Sequence, residues 1–125
     1  METRIQFIEL MKKLKNGIHV CKFDKRPKKF LFGTNNYGEI IGYINPADGD
    51  RWDIIAPGYE ILKRNSPFII KKIEGIILMP NLNHKIIVNI YTNQKRDSFY
   101  KRKKEILNYR DEYAKYTKIE GEVIL

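Results

Sequence analysis

Asp48, Asp50 and Asp53 fall within six residues, in the string Asp48-Gly49-Asp50-Arg51-Trp52-Asp53. Three carboxylates this close repel one another, and the cluster is stable only if solvated or neutralised by cations. Asp48 and Asp50 bracket a glycine that permits a tight turn. Asp53 instead interrupts an apolar run, Trp52-Asp53-Ile54-Ile55, where a bare charge is costly. Oxygen-only donors at this density suit Mg²⁺ or another hard cation, Mn²⁺ included. A calcium-binding EF-hand loop is excluded, because its fifth and twelfth positions would fall on Trp52 and Tyr59, neither a usual ligand. The plainer alternative is an acidic hairpin loop with one salt-bridged Asp. Spacing alone leaves both open.

The elements that position this cluster are short. Residues 3–15 have helical spacing in Ile8, Met11 and Leu14, a cap in Thr3 and a stop at Asn16-Gly17. Branched runs at 18–23, 29–32, 39–44, 52–55, 67–79 and 84–91 are each bounded by turn chemistry such as Pro57-Gly58. Many strands without a long helix between them predict an antiparallel barrel or sandwich. Residues 98–115 are helical, with Phe99, Ile106 and Tyr113 seven apart and Tyr100, Leu107 and Ala114 likewise, giving one apolar stripe. The tail, 118–125, is a further candidate strand. Neither a repeat nor a linker divides the chain, so residues 1–125 are expected to form one domain.

Gly42-Tyr43-Ile44-Asn45, followed by Asp48-Gly49-Asp50-Arg51-Trp52-Asp53-Ile54-Ile55, resembles the soluble (family I) inorganic pyrophosphatases, whose most recognisable string is Asp-Gly-Asp-x-x-Asp followed by aliphatics. The likeness continues in order. Residues 73–79, Ile-Glu-Gly-Ile-Ile-Leu-Met, resemble the family's Val-Gly-Val-Leu-x-Met strand. Lys85 opens the next strand, as a lysine does in that family. Tyr109-Arg110-Asp111 and Ile119-Glu120-Gly121 resemble its C-terminal Tyr-Lys-Asp and Val-Glu-Gly. The collinear matches run from about Tyr37 to the C-terminus.

The resemblance implies a mainly β (α+β) fold, an OB-type antiparallel β-barrel with flanking N- and C-terminal helices. It also implies Mg²⁺-dependent hydrolysis of pyrophosphate, or a related small phosphoanhydride, to phosphate. Asp48 and Asp53 would be metal ligands, and Asp50 would help deprotonate the attacking water while lying beside the metals. Lys85 would neutralise pyrophosphate. Tyr37 would bind phosphate, although the alignment through Asn36-Tyr37-Gly38 can be drawn in two ways. Tyr109 and Arg110 would hold the leaving phosphate, arginine replacing lysine and still able to bind phosphate bidentately.

The chain also departs from that family. Two further aspartates are expected before the lysine, and here a shorter loop carries Asn81 and Asn83. Asn83 can still offer an amide oxygen to a metal, but it brings no charge. The family's N-terminal glutamates have no counterpart around residues 19–24, and the roles of Arg26, Lys28 and Lys29 are left unassigned. These losses support a second function, a catalytically impaired barrel that binds phosphates or nucleic acid through a basic surface, or serves as a packaged structural protein.

The 125 residues carry a net charge of +9, which attracts polyanions without choosing among them. Lys95, Arg96 and the run 101–104 could follow a nucleic-acid backbone by weak electrostatic contacts. The same run also fits the solvated face of an amphipathic helix. Cys21 is the only cysteine, so no internal disulfide forms, and a reducing compartment is expected. No apolar run approaches the roughly 20 residues that span a bilayer, and no signal peptide is apparent. The expectation is therefore a cytoplasmic protein, or one carried inside a larger particle, without membrane partners; a homo-oligomer is compatible with the sequence. His19 and His84 lack clustered partners, Trp52 is expected in the core, and Cys21 reads as a small buried hydrophobe.

Overall fold

The computed structural model describes residues 2–24, 34–44 and 49–125, excepting the side chains of residues 2–4, 6 and 7. The strand expected at 29–32, together with Asp48, Arg26, Lys28 and Lys29, lies outside the described residues. The elements in chain order are α1 (Glu2–Lys15), β1 (Val20–Phe23), β2 (Tyr37–Ile44), β3 (Arg51–Ile55), β4 (Phe68–Leu78), β5 (Lys85–Ile90), α2 (Phe99–Thr117) and β6 (Glu122–Ile124).

Branched side chains alternate across these strands and fill the inside of a sheet that closes on itself. The strand order is β1-β2-β3-β5-β4, and a pairing of Val20 and Cys21 with Ile69 and Phe68 joins β1 to β4. The result is a closed five-stranded barrel of the OB type, flanked by two helices, with β6 added at the far end of β4. β4 serves three neighbours because register shifts between Ile70 and Lys72 and between Ile73 and Gly75 bend it. One pairing departs from the antiparallel expectation. β3 and β5 run parallel, since the chain crosses over through β4 before returning beside β3.

Gly38 and Gly49 show two different needs for glycine. A Cβ on Gly38 would lie 2.0 Å from the Lys22 carbonyl oxygen, so β1 and β2 approach here only without a side chain. Gly49 turns the β2–β3 hairpin at φ +76°, as the flanking aspartates suggested.

Barrel interior and barrel exterior form separate apolar clusters. Inside, Cys21, Phe23, Ile40, Trp52, Ile54, Ile76, Ile86 and Val88 pack together, and Leu10 and Leu14 of α1 join them. Trp52 is thus a core residue, and burial pushes the Cys21 thiol up to about 12, which leaves it inert. Outside, Tyr37, Ile55, Ile77, Met79 and Ile87 meet Ile106 and Tyr109 of α2.

α2 starts where Ser98 accepts the Lys101 N–H at 3.4 Å and ends at Lys118, whose left-handed backbone (φ 62°) bonds Ala114 O. The expected apolar stripe is corrected in its first turn: Phe99 and Tyr100 are exposed, and the buried residues are Ile106 and Tyr109. Polar bonds hold that end of the helix instead. Thr34 Oγ1 donates to Glu105 Oε2 at 2.8 Å, and Gly58 N donates to Oε1 at 3.5 Å.

Burial raises the Glu105 carboxyl above its ordinary value of 4.5, outweighing the bonds from Thr34 and Gly58 that favour the charge. The folded chain therefore holds this proton more tightly than the unfolded chain. Stability from this group is full below pH 4.5 and is lost as pH rises through the raised folded value. Glu105→Gln should accordingly gain stability relative to wild type on going from pH 4 to pH 7. Denaturant unfolding at the two pH values checks this, and an unchanged difference would contradict it.

Candidate functional site

By alternation, Asp53 and Lys85 share the outer face with Ile55 and Ile87, opposite Ile54 and Ile86 inside. Parallel pairing makes Asp53 and Lys85 direct cross-strand partners. Lys85 Nζ donates to Asp53 Oδ2 at 2.6 Å, with the lysine side chain 2% and the aspartate 19% exposed. A salt-bridged aspartate belongs to the plainer sequence reading; here it lies on a strand, its lysine partner buried against tyrosine rings.

Tyr37, at the start of β2, stacks on Tyr109 with ring centres 5.9 Å apart, and Tyr109 stacks on Tyr113 at 5.7 Å. The Lys85 ammonium lies 5.7 Å from the Tyr37 ring centre and 5.3 Å from that of Tyr113, within cation–π range. Burial, then the Asp53 charge, raises the Tyr113 phenol above its ordinary value, so it stays protonated as a hydrogen-bond donor at neutral pH.

Neighbouring groups hold these side chains in place. Buried Asn36, just before Tyr37, donates from Nδ2 to Tyr59 O and Glu60 O at 3.3 and 3.0 Å and accepts from Leu62 N at 2.8 Å. It thereby fixes the β3–β4 connection beside the tyrosine. His84 Nδ1 accepts the Met79 N–H at 2.9 Å across the β4–β5 turn, which sets the start of β5 and thus Lys85. Burial, then the Lys85 ammonium, lowers the His84 pKa, so the ring is neutral. Glu39 is the cross-strand partner of Asp53 on the other side, and it takes the Arg51 guanidinium at 2.9 Å and Lys22 at 3.9 Å.

The sequence-derived residues therefore divide. Tyr37, Asp53, Lys85 and Tyr109 come together on one face. Asp50 is exposed at the hairpin, and Asp48 lies outside the described residues. Arg110 forms an ion pair with its neighbour Asp111, at 2.9 Å and near the surface. The backbone N–H of Asn83 donates to Asn81 Oδ1 at 3.2 Å, so that amide oxygen is engaged in the turn. Sequence reasoning missed Tyr113 and Glu39. For Tyr113 a signal existed: it follows Tyr109 by four residues, which puts both on one helix face.

A hard cation is matched in kind by these donors, since all are oxygen. Among the described residues, however, no group of three His, Cys, Asp or Glu side chains is arranged to hold a metal. Asp50 and Asp53 offer two carboxylates, and Asp53 is shared with Lys85. Mg²⁺ commonly keeps several waters and takes only one or two carboxylates plus substrate oxygens, so a site for it here would draw on Asp53 and a phosphate ligand rather than on a cage of protein groups. Among the described residues, no helix is long and apolar enough to cross a membrane. No family model, curated protein or solved structure matches the chain.

Proposed function

We propose that this chain hydrolyses inorganic pyrophosphate, or a related small phosphoanhydride, with Mg²⁺ on the outer face of its barrel. One observation supports the reading. Tyr37, Asp53, Lys85 and Tyr109, picked from four elements by a collinear resemblance, are linked in series across α2, β2, β5 and β3: Tyr109 against Tyr37, Tyr37 against Lys85, and Lys85 to Asp53.

In the reaction, a water oxygen bonds to one phosphorus while the bridging P–O bond breaks, and the bridging oxygen leaves with its electron pair on the second phosphate. The water proton passes to the Asp50 carboxylate, whose exposed position lets it exchange with solvent. Lys85 already directs one N–H at Asp53; its other two protons are donors for a phosphate oxygen. The rings of Tyr37, Tyr109 and Tyr113 pack around the lysine and hold it in position. Mg²⁺, held with the substrate beside Asp53, would supply a more acidic water and offset charge on the phosphate oxygens.

The second reading, a phosphate-binding barrel without turnover, draws on two observations. Asp53 has its charge met by Lys85, and Asn81 is used by its own turn. Orthophosphate release from pyrophosphate separates the two. Release that requires Mg²⁺ and stops on chelation is expected. Background-level release across the Mg²⁺ range, with pyrophosphate still bound, would leave the binding barrel.

A further inference from the structure

The first half of α2 takes no part in the site above, and its composition is unfavourable for a helix that serves only the fold. Between Lys95 and Lys104 the chain has six basic residues and one acid. The first turn contains no acid, although the N-terminal end of a helix favours negative charge and is opposed by positive charge. Lys101 and Lys104, both exposed, are three apart on this end and repel. Glu105, the nearest acid on the helix, is turned inward to Thr34 and Gly58.

Two large rings are displayed in the same turn. Phe99 is 59% exposed and Tyr100 68%. The Arg102 guanidinium lies 5.6 Å from the Phe99 ring centre, and Lys104 Nζ lies 5.1 Å from that of Tyr100. Beside them is a recess of about 330 Å³ lined by Pro57, Lys72, Phe99, Arg102, Lys103 and Leu125, within the range of small ligand sites. Glu74 also borders it, and its charge is met by Arg96.

We infer that this end of α2 is a docking surface for single-stranded nucleic acid, independent of the pyrophosphate reading. Lys101, Lys103 and Lys104 would take phosphates, while Phe99 and Tyr100 would stack against bases. Charge complementarity selects a polyanion. The exposed rings select unpaired strands, because only unstacked bases offer a face to an aromatic side chain. An anionic bilayer fits less well. It needs a continuous apolar face to insert, whereas the two adjacent rings here are followed at once by exposed Lys101, Lys103 and Lys104.

Fluorescence anisotropy of a labelled oligothymidylate of about 16 nucleotides tests the inference. Binding should weaken with salt, with a log–log slope of roughly −0.7 per phosphate contacted. The double substitution Phe99→Ala/Tyr100→Ala should weaken binding about 10-fold or more and leave the slope unchanged. The triple substitution Lys101→Gln/Lys103→Gln/Lys104→Gln should flatten the slope by about 2. All five positions are on the outside of the helix, so circular dichroism should show the fold intact. Oligothymidylate binding unaffected by loss of both rings, duplex bound as tightly as single strand, or capture by phosphatidylserine vesicles without oligonucleotide binding would each overturn it.

Discussion

Lys85→Met is expected to destabilise the fold by about 3 kcal/mol, because it removes the buried ammonium that meets the Asp53 charge. Methionine keeps most of the lysine's length and apolar stem, so lost volume contributes little. What disappears is a 2.6 Å ion pair in which the ammonium side is 2% exposed, together with the cation facing the rings of Tyr37 and Tyr113. Asp53→Asn should cost a comparable amount, about 3 kcal/mol, since it leaves the 2% exposed Lys85 ammonium facing only an uncharged amide. The double substitution should cost clearly less than the two single effects added, with a coupling of at least about 1 kcal/mol. Denaturant unfolding of the four proteins measures this. A buried pair is poorly screened, so the coupling should persist in 1 M salt, where surface pairs fade. Additive effects, or coupling abolished by salt, would show that the pair is peripheral to the fold.

The sequence disclosed the strands well and their partners poorly, for a physical reason. Residues 39–44, 52–55 and 84–91 announce themselves locally, through branched residues closed off by turn chemistry, and each contains or overlaps an observed strand. That β3 lies parallel to β5 is set by closure of the barrel, which no local pattern encodes. The same limit applies within the site. Asp53 stood out because a carboxylate broke an apolar run, but its partner is 32 residues away. Lys85 drew notice only through resemblance. Tyr113 fits an apolar stripe with Phe99 and Ile106, seven residues apart. A tyrosine ring satisfies such a stripe while also packing against Lys85, so periodicity hides that contact. Phe99 illustrates the converse, since it fits the stripe and is nonetheless exposed.

Asp50→Asn should lower the turnover of pyrophosphate by about 10²-fold or more while leaving the unfolding midpoint near that of wild type. The combination follows from where Asp50 lies: exposed on the hairpin, it adds little to stability, yet in the proposed reaction it is the group that takes the proton from water. Asn83→Asp acts on a different quantity. Residue 83 is two positions before Lys85, the cross-strand partner of Asp53, and a carboxylate there adds one negative charge near the proposed metals. At partly exposed positions, a carboxylate about 5 Å from a divalent cation gains on the order of 1–2 kcal/mol, equivalent to roughly a 10-fold lower Mg²⁺ requirement. Hydrolysis measured against Mg²⁺ concentration for wild type, Asn83→Asp and Asp50→Asn should therefore give a leftward shift in one variant and a collapsed maximum in the other. A change in the Mg²⁺ midpoint with Asp50→Asn, and none with Asn83→Asp, would mean that the hairpin aspartate holds metal rather than moving protons. Activity that survives Asp50→Asn undiminished would remove this carboxylate from the chemistry and return the Asp53–Lys85 pair to a role in holding α2 on the barrel.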